Sequence, residues 1–135
     1  MFKTVLFPID QSRETREAAD VVANVVQRYG SRLVLLSVVE ETTSDTPGGD
    51  VMSSPQTVAQ LLENAKSVFS HQGIQAEAIE RQGNPAFTIC DVADELEADL
   101  IVMGCRGLGL TDEGINESVT NRVINLSPCP VLVVP

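Results

Sequence analysis

Aromatic side chains make up only 4% of this 135-residue chain, tryptophan is absent and there is a single histidine, His71. Without aromatic bulk the core must be built from Val, Leu, Ile and Ala, which fits helices packed on a parallel sheet better than a β-sandwich. One histidine supports neither a His-rich metal cluster nor a Ser-His-Asp site. Placed just before Gly73, His71 reads as a surface cation at a helix C-terminus. The three cysteines, Cys90, Cys105 and Cys129, are odd in number and lack C-x-x-C spacing, which suggests reduced thiols in a cytoplasmic protein. Cys90 and Cys129 read as small packing residues, and Cys105, in a glycine-rich loop, as the one thiol placed for reactivity.

Basic residues are scarce too: nine Lys and Arg stand against 19 Asp and Glu, a net charge of −10. A duplex-binding protein needs basic patches to displace counterions, so nucleic acid and anionic membrane surfaces are poor partners for this chain. Any polyphosphate ligand must be held by local backbone donors against an unfavourable overall field. The apolar run behind Met1 stops at Pro8-Ile9-Asp10, too short for a membrane helix or a signal segment. A hydrophobic share of 43% and a charged share of 21% are otherwise ordinary for one domain over residues 1–135.

The chain alternates regularly between two periodicities. Thr4 to Ile9 reads as a first strand. Ser12 looks like the N-cap of a helix reaching Tyr29, with Ala18, Val22, Val25 and Tyr29 on one face and Gly30 as its stop. Leu33 to Val39 is a second, nearly wholly apolar strand. The polar stretch from Glu40 to Ser54 reads as a mobile surface loop, and Ser54-Pro55 opens a second helix with Val58, Leu61, Leu62, Ala65 and Phe69 inward and Gly73 at its end. Gln75 to Arg81 reads as an edge strand. Gly83-Asn84-Pro85 then starts a third helix whose inner stripe is Ala86, Ile89, Cys90, Ala93 and Leu96. Leu100 to Met103 is a fourth strand, Ser118 to Leu126 a fourth helix with Val119, Val123 and Leu126 inward, and Val131 to Val134 a fifth strand. This order predicts an open α/β layer fold with a mainly parallel sheet and right-handed crossovers.

The stretch richest in chemistry is Gly104-Cys105-Arg106-Gly107-Leu108-Gly109, directly after the fourth strand. Glycines there let backbone N–H groups approach an anion, and a helix start at Ser118, the candidate N-cap, adds favourable partial charge. A dinucleotide fingerprint is absent, because the first strand ends in Asp10-Gln11-Ser12 and the later loop is spaced G-x-x-G-x-G. A Walker loop is excluded by Leu110, which stands where the phosphate-reaching lysine belongs. The third signature to test is G-x-x-G, nine residues, then Gly-Ser opening a helix.

At these positions the chain resembles the universal stress protein family. The resemblance runs end to end. It is carried by Phe7-Pro8-Ile9-Asp10 with Ser12, Leu36-Ser37-Val38-Val39, Gly83-Asn84-Pro85, Ala98-Asp99-Leu100-Ile101-Val102-Met103-Gly104 and Ser127-Pro128-Cys129-Pro130-Val131-Leu132-Val133-Val134. It implies an adenine nucleotide alpha hydrolase-like fold: an open five-stranded sheet in the order 3-2-1-4-5 with helices on both faces. Asp10 and Gly104 then face each other across the crevice where such sheets bind ligands. It also implies the family's ATP-binding branch, with ATP or another adenine nucleotide as ligand and Mg²⁺ as a companion of its phosphates. Asp10 and Val38 match positions that recognise adenosine, while Gly104, Gly107 and Ser118 match the phosphate-binding positions. Met103, Arg106 and Val119 adjoin these and complete the candidate set. The alternative for Asp10 is a turn or cap residue after the first strand, and Arg106 reads equally as a solvated loop charge. There is one departure: Glu117 stands where the motif has its second glycine, bringing a carboxylate towards the phosphates and a Cβ to a backbone that resists one where φ is positive. Asp112 and Glu113 add negative charge to the same loop.

The function implied is a stress-response sensor or signalling module that binds an adenine nucleotide. The alternative is a nucleotide-free member acting as a dimerising interaction module. Slow ATP hydrolysis is a third reading, for which only Asp10 or Glu117 is placed as a general base. Val131 to Val134 is apolar throughout and ends one residue before the C-terminus, which leaves its edge uncovered. An uncharged apolar edge invites pairing, and the resemblance implies the same homodimer, joined antiparallel across this strand.

Overall fold

A computed structural model describes the backbone of residues 2–9, 13–39, 55–104 and 114–134, and the side chains of all of these except 13–16, 55–58 and 114–118. Nine elements follow in strict alternation: β1 (Thr4–Pro8), α1 (Arg13–Tyr29), β2 (Arg32–Val39), α2 (Pro55–Ser70), β3 (Ala76–Gln82), α3 (Pro85–Leu96), β4 (Leu100–Gly104), α4 (Gly114–Leu126) and β5 (Val131–Val134). The strands form one sheet in the order β3-β2-β1-β4-β5, and every pairing is parallel.

The two-residue alternation of β1 separates the core into two layers. Val5 and Phe7 turn to one side and pack with Ala18, Val22, Ala23 and Val26 of α1 and with Leu62 and Phe69 of α2. The Phe7 and Phe69 rings meet edge to face at 6.3 Å. Leu6 turns to the other side, with Val34 and Leu36, against Ala86, Ile89, Cys90 and Ala93 of α3 and Val123 of α4. Val5 and Leu6 are fully buried and Phe7 is 1% exposed, as expected of a strand covered on both faces.

Local chemistry sets the helix ends. Gly30 and Gly73 have φ of +66° and +79°, the left-handed backbone that glycine adopts without steric cost, and each ends its helix where the sequence predicts. Asn84 caps α3 by accepting a 3.3 Å bond from the Phe87 N–H, with Pro85 in the first turn. The end of α3 uses Glu97 in the left-handed region instead of a glycine. Two bonds hold that turn, Ala98 N–H to the Ala93 carbonyl (2.9 Å) and Glu97 N–H to the Asp94 carbonyl (3.1 Å).

Three expectations need correction. Tyr29 is 44% exposed rather than inward: its ring leaves the core stripe to stand at 90° to Phe2, ahead of β1, at 5.2 Å. Leu126, the last residue of α4, is 47% exposed: α4 lies against α3, and among its described side chains Thr120 and Val123 are buried and Val119 partly so. Most important, α4 begins at Gly114, so Ser118 is its fifth residue and not its N-cap. The predicted caps Ser12 and Ser54, the Glu40–Ser54 loop and the side chain of Val58 lie outside the described residues. None of the described helices is long and apolar enough to cross a membrane.

The amino-terminal edge of the sheet is latched by one side chain. Asp99, just ahead of β4, accepts the N–H groups of Lys3 (2.8 Å) and Thr4 (3.0 Å) on a single carboxylate oxygen, while its own N–H donates to the Thr4 carbonyl (2.8 Å). Asp99→Ala leaves two backbone donors without this acceptor and lowers stability by about 1–2 kcal/mol, readable as a reduced midpoint in urea. An unchanged midpoint would show that water replaces the carboxylate at no loss.

A second tie joins β2 to the edge strand β3, where Arg32 Nε and Nη2 donate to the two carboxylate oxygens of Glu77 at 2.6 and 2.8 Å. The bond from Arg32 holds the Glu77 carboxyl below its usual pKa, against a small opposing push from burial. A depressed carboxyl contributes stability above its unfolded pKa and loses it as pH falls through the folded one. Glu77→Gln therefore lowers the melting temperature slightly at neutral pH, and wild type and variant converge once pH drops below the carboxylate range. Equal melting temperatures at neutral pH would assign the pair no net role.

Candidate functional site

In an open parallel sheet the crevice forms where strand order reverses, because neighbouring strands there send their crossovers to opposite faces. Here the reversal falls between β1, followed by α1 on one face, and β4, followed by α4 on the other. The two strands pair directly, Val5 with Leu100 and Leu6 with Ile101, so their carboxyl ends, Pro8-Ile9 and Met103-Gly104, lie side by side. The Ile9 N–H extends the arrangement by bonding the Leu36 carbonyl of β2 at 2.8 Å.

Of the predicted site residues, four are described. Val38, half-buried near the end of β2, packs against the α3–α4 layer of the core, as does Val119 in α4. Met103 belongs to the same cluster and is 7% exposed, so its side chain is core and its place at the strand end offers a ligand backbone rather than sulfur. Gly104 closes β4 opposite Val134 of β5. Val38, Met103 and Val119 thus share one cluster on the α4 side of the crevice. Asp10, Cys105, Arg106, Gly107, Asp112 and Glu113 lie outside the described residues, as do the side chains of Glu117 and Ser118.

The early start of α4 changes what Glu117 and Ser118 can do. In a helix beginning at Gly114 the unpaired N–H groups belong to the first turn, ahead of Ser118, whose own N–H is engaged within the helix. Its contribution to an anion is then the hydroxyl. The backbone at 117 is helical as well, a conformation any residue adopts, so the glutamate meets no φ penalty in place of the motif's glycine.

Cys90, Cys129 and the lone histidine fit their structural readings, while Cys105 lies outside the described residues. Cys90 is buried in the α3–α4 layer and Cys129 is half-buried against it. Burial pushes both thiols above their usual pKa. Asp91 adds to this at Cys90, and a weak bond from the Ser127 hydroxyl to Cys129 Sγ at 3.8 Å partly offsets it at Cys129. His71 is exposed just past α2, with Nδ1 2.9 Å from the Ser67 carbonyl. An open groove of about 510 Å³ lies away from the crevice, between the second half of α2 and the start of β3, with Lys66, Ser67, Ser70 and Glu77 among its walls. What the sequence reading missed is the pair of polar ties, Asp99 and Arg32–Glu77. The signal for the first was an aspartate directly ahead of a buried strand.

A doubly wound parallel sheet whose strand order reverses between β1 and β4 defines an open α/β domain. The sequence pattern described as the universal stress protein family matches residues 1–135. A universal stress protein of Synechocystis, Sll1654, is 65% identical over 139 residues, covering 100% of this chain and 87% of that protein. The chain belongs to the universal stress protein family. Among solved structures of the same fold, one from Archaeoglobus fulgidus in complex with dAMP superposes with a TM-score of 0.75 at 19% identity, covering 99% of this chain and 98% of that one. Another, from Arabidopsis thaliana with AMP bound, gives 0.72 at 21% identity, covering 98% and 90%.

Proposed function

We propose that this chain is a cytoplasmic stress-response sensor or signalling module that binds an adenine nucleotide in the crevice between the carboxyl ends of β1 and β4. The observation that carries the reading is the strand reversal at β1–β4 with Gly104 and its glycine-rich loop at that point of the sheet. Backbone donors of a glycine loop are what an acidic chain needs to hold a phosphate, since side-chain cations are few. AMP and dAMP, held by the two relatives, share adenine and a 5′-phosphate, which are the groups that Asp10 and Val38 on one side and Gly104, Gly107 and Ser118 on the other would contact. Met103, Arg106 and Val119 adjoin them. Mg²⁺ would accompany a triphosphate as part of the ligand.

The direct test is calorimetric titration with ATP, ADP, AMP and cyclic AMP, paired with mass spectrometry of nucleotide released from the denatured protein. Gly107→Val places a branched side chain where the loop backbone meets the phosphate, and lowers nucleotide affinity by about tenfold or more with the melting temperature unchanged. Unaltered affinity in the folded variant removes this site. Wild type that neither releases nor binds a nucleotide leaves the interaction-module reading in its place.

The same proposal includes a homodimer across β5. Its support is the place of β5 at the edge of the sheet, with no charge from Val131 to Val134 and Leu132 37% exposed. By contrast the opposite edge, β3, carries exposed Glu77 and Glu80, the kind of charge that blunts strand pairing. Leu132→Lys gives a folded monomer by light scattering at micromolar concentration. A wild type that is itself monomeric there refutes the dimer.

A further inference from the structure

The chain has four phenylalanines, and three of them serve its core. Phe7 and Phe69 are 1% exposed, and Phe2 packs against the α1–α2 layer and Tyr29. Phe87 is 52% exposed, although Ala86 and Ile89 beside it in α3 are buried. Its backbone is nonetheless fixed. The Gly83 N–H bonds the Val39 carbonyl at 2.9 Å, which ties the start of α3 to the end of β2, and the Phe87 N–H itself donates to the Asn84 cap. The first turn of α3 therefore stands at the carboxyl end of the sheet, on the face that Val38 and Met103 share. Helical spacing puts Phe87 on the flank of Cys90, three residues on. That flank faces α4, since the Cys129 thiol beyond α4 is near enough to raise the Cys90 pKa. An anchored aromatic ring thus borders the crevice from the α3 side.

We infer that Phe87 stacks on the base of the bound nucleotide, with the phosphates turned away from α3 towards the loop after β4. The inference rests on the nucleotide site proposed above. Stacking on an aromatic face needs no cation, so it holds a neutral adenine ring without opposing the net charge of −10 that works against the phosphates. Because the cap already fixes the backbone under the ring, little freedom is lost when a ligand covers it. The same flank of α3 decides which end of the ligand it takes. Asp91 and Asp94, both exposed, follow Phe87 at four and seven residues along that flank, and their carboxylates repel a phosphate while leaving a neutral base unaffected. Gly104, where the glycine-rich loop leaves the sheet, is on the other strand of the crevice.

Phe87→Ala and Phe87→Trp, each titrated with AMP and with ribose 5-phosphate, test this. Phe87→Ala weakens AMP binding by about fivefold or more, with a melting temperature close to that of wild type because the ring is not core. Phe87→Trp keeps its affinity for AMP, and as the chain has no other tryptophan its emission reports this position alone. AMP quenches that emission, whereas ribose 5-phosphate, which carries the phosphate without the base, does not. Where Phe87→Ala fails to fold, the emission of Phe87→Trp decides. Wild-type AMP affinity in Phe87→Ala, an emission that AMP leaves unmoved, or one that ribose 5-phosphate quenches as strongly overturns the inference while the nucleotide site stands. A wild type that binds no adenine nucleotide overturns both.

Discussion

The parallel pairing of β1 with two strands remote from it in sequence is the constraint on which the other features depend. β1 is short, yet it must satisfy backbone partners on both edges and fill a layer of core on each face. Val5, Leu6 and Phe7 are accordingly almost wholly removed from water. Because β2 and β4 leave β1 in opposite directions across the sheet, the helices divide two and two between the faces. The same division opens the crevice at the carboxyl ends, and the Asp99 latch holds the strands in register at the other end. The two ends thus differ, with polar fastening at the amino-terminal end and an open crevice at the carboxyl end.

The free edges are treated in opposite ways. β3 is guarded by charge, and its ion pair with β2 gives Glu77 a partner within the chain. β5 carries only Val and Leu, and Leu132 is 37% exposed. An edge of that composition is a liability for a monomer, and natural sequences usually place Lys or Glu there.

The architecture was legible because it rests on signals with short reach. Apolar runs of four to eight residues marked the strands, Gly30 and Gly73 marked helix ends, and Asn84-Pro85 marked a start, each through the backbone conformation it imposes. Strand order was not legible from periodicity; it came with the family resemblance. Two errors share a cause. Tyr29 and Leu126 continue the helical period correctly, but periodicity says nothing of what the end of a helix packs against. The early start of α4 was missed because Gly114, Ile115 and Asn116 carry no strong helix signal, while Ser118 looks like a cap in isolation. Polar ties such as Asp99 to Thr4 were illegible for another reason: they depend on residues brought together only by the completed sheet. For the candidate site, the sequence located the loop and its strand, and the fold accounts for the shared core position of Val38, Met103 and Val119.

An all-parallel sheet contains no hairpin, so no two neighbouring strands can pair before an intervening helix has been crossed. The longest such closure is the one between β1 and β4, whose Asp99–Thr4 bond spans 95 residues. Chain entropy resists that closure more than the β1–β2 or β2–β3 pairings, which need only one helical crossover each. The crevice is therefore a product of the strand pairing that closes the longest stretch of chain. A nascent or partly unfolded chain that has assembled β1, β2 and β3 has a core layer and a free β1 edge but no crevice, which exists only once β4 has paired.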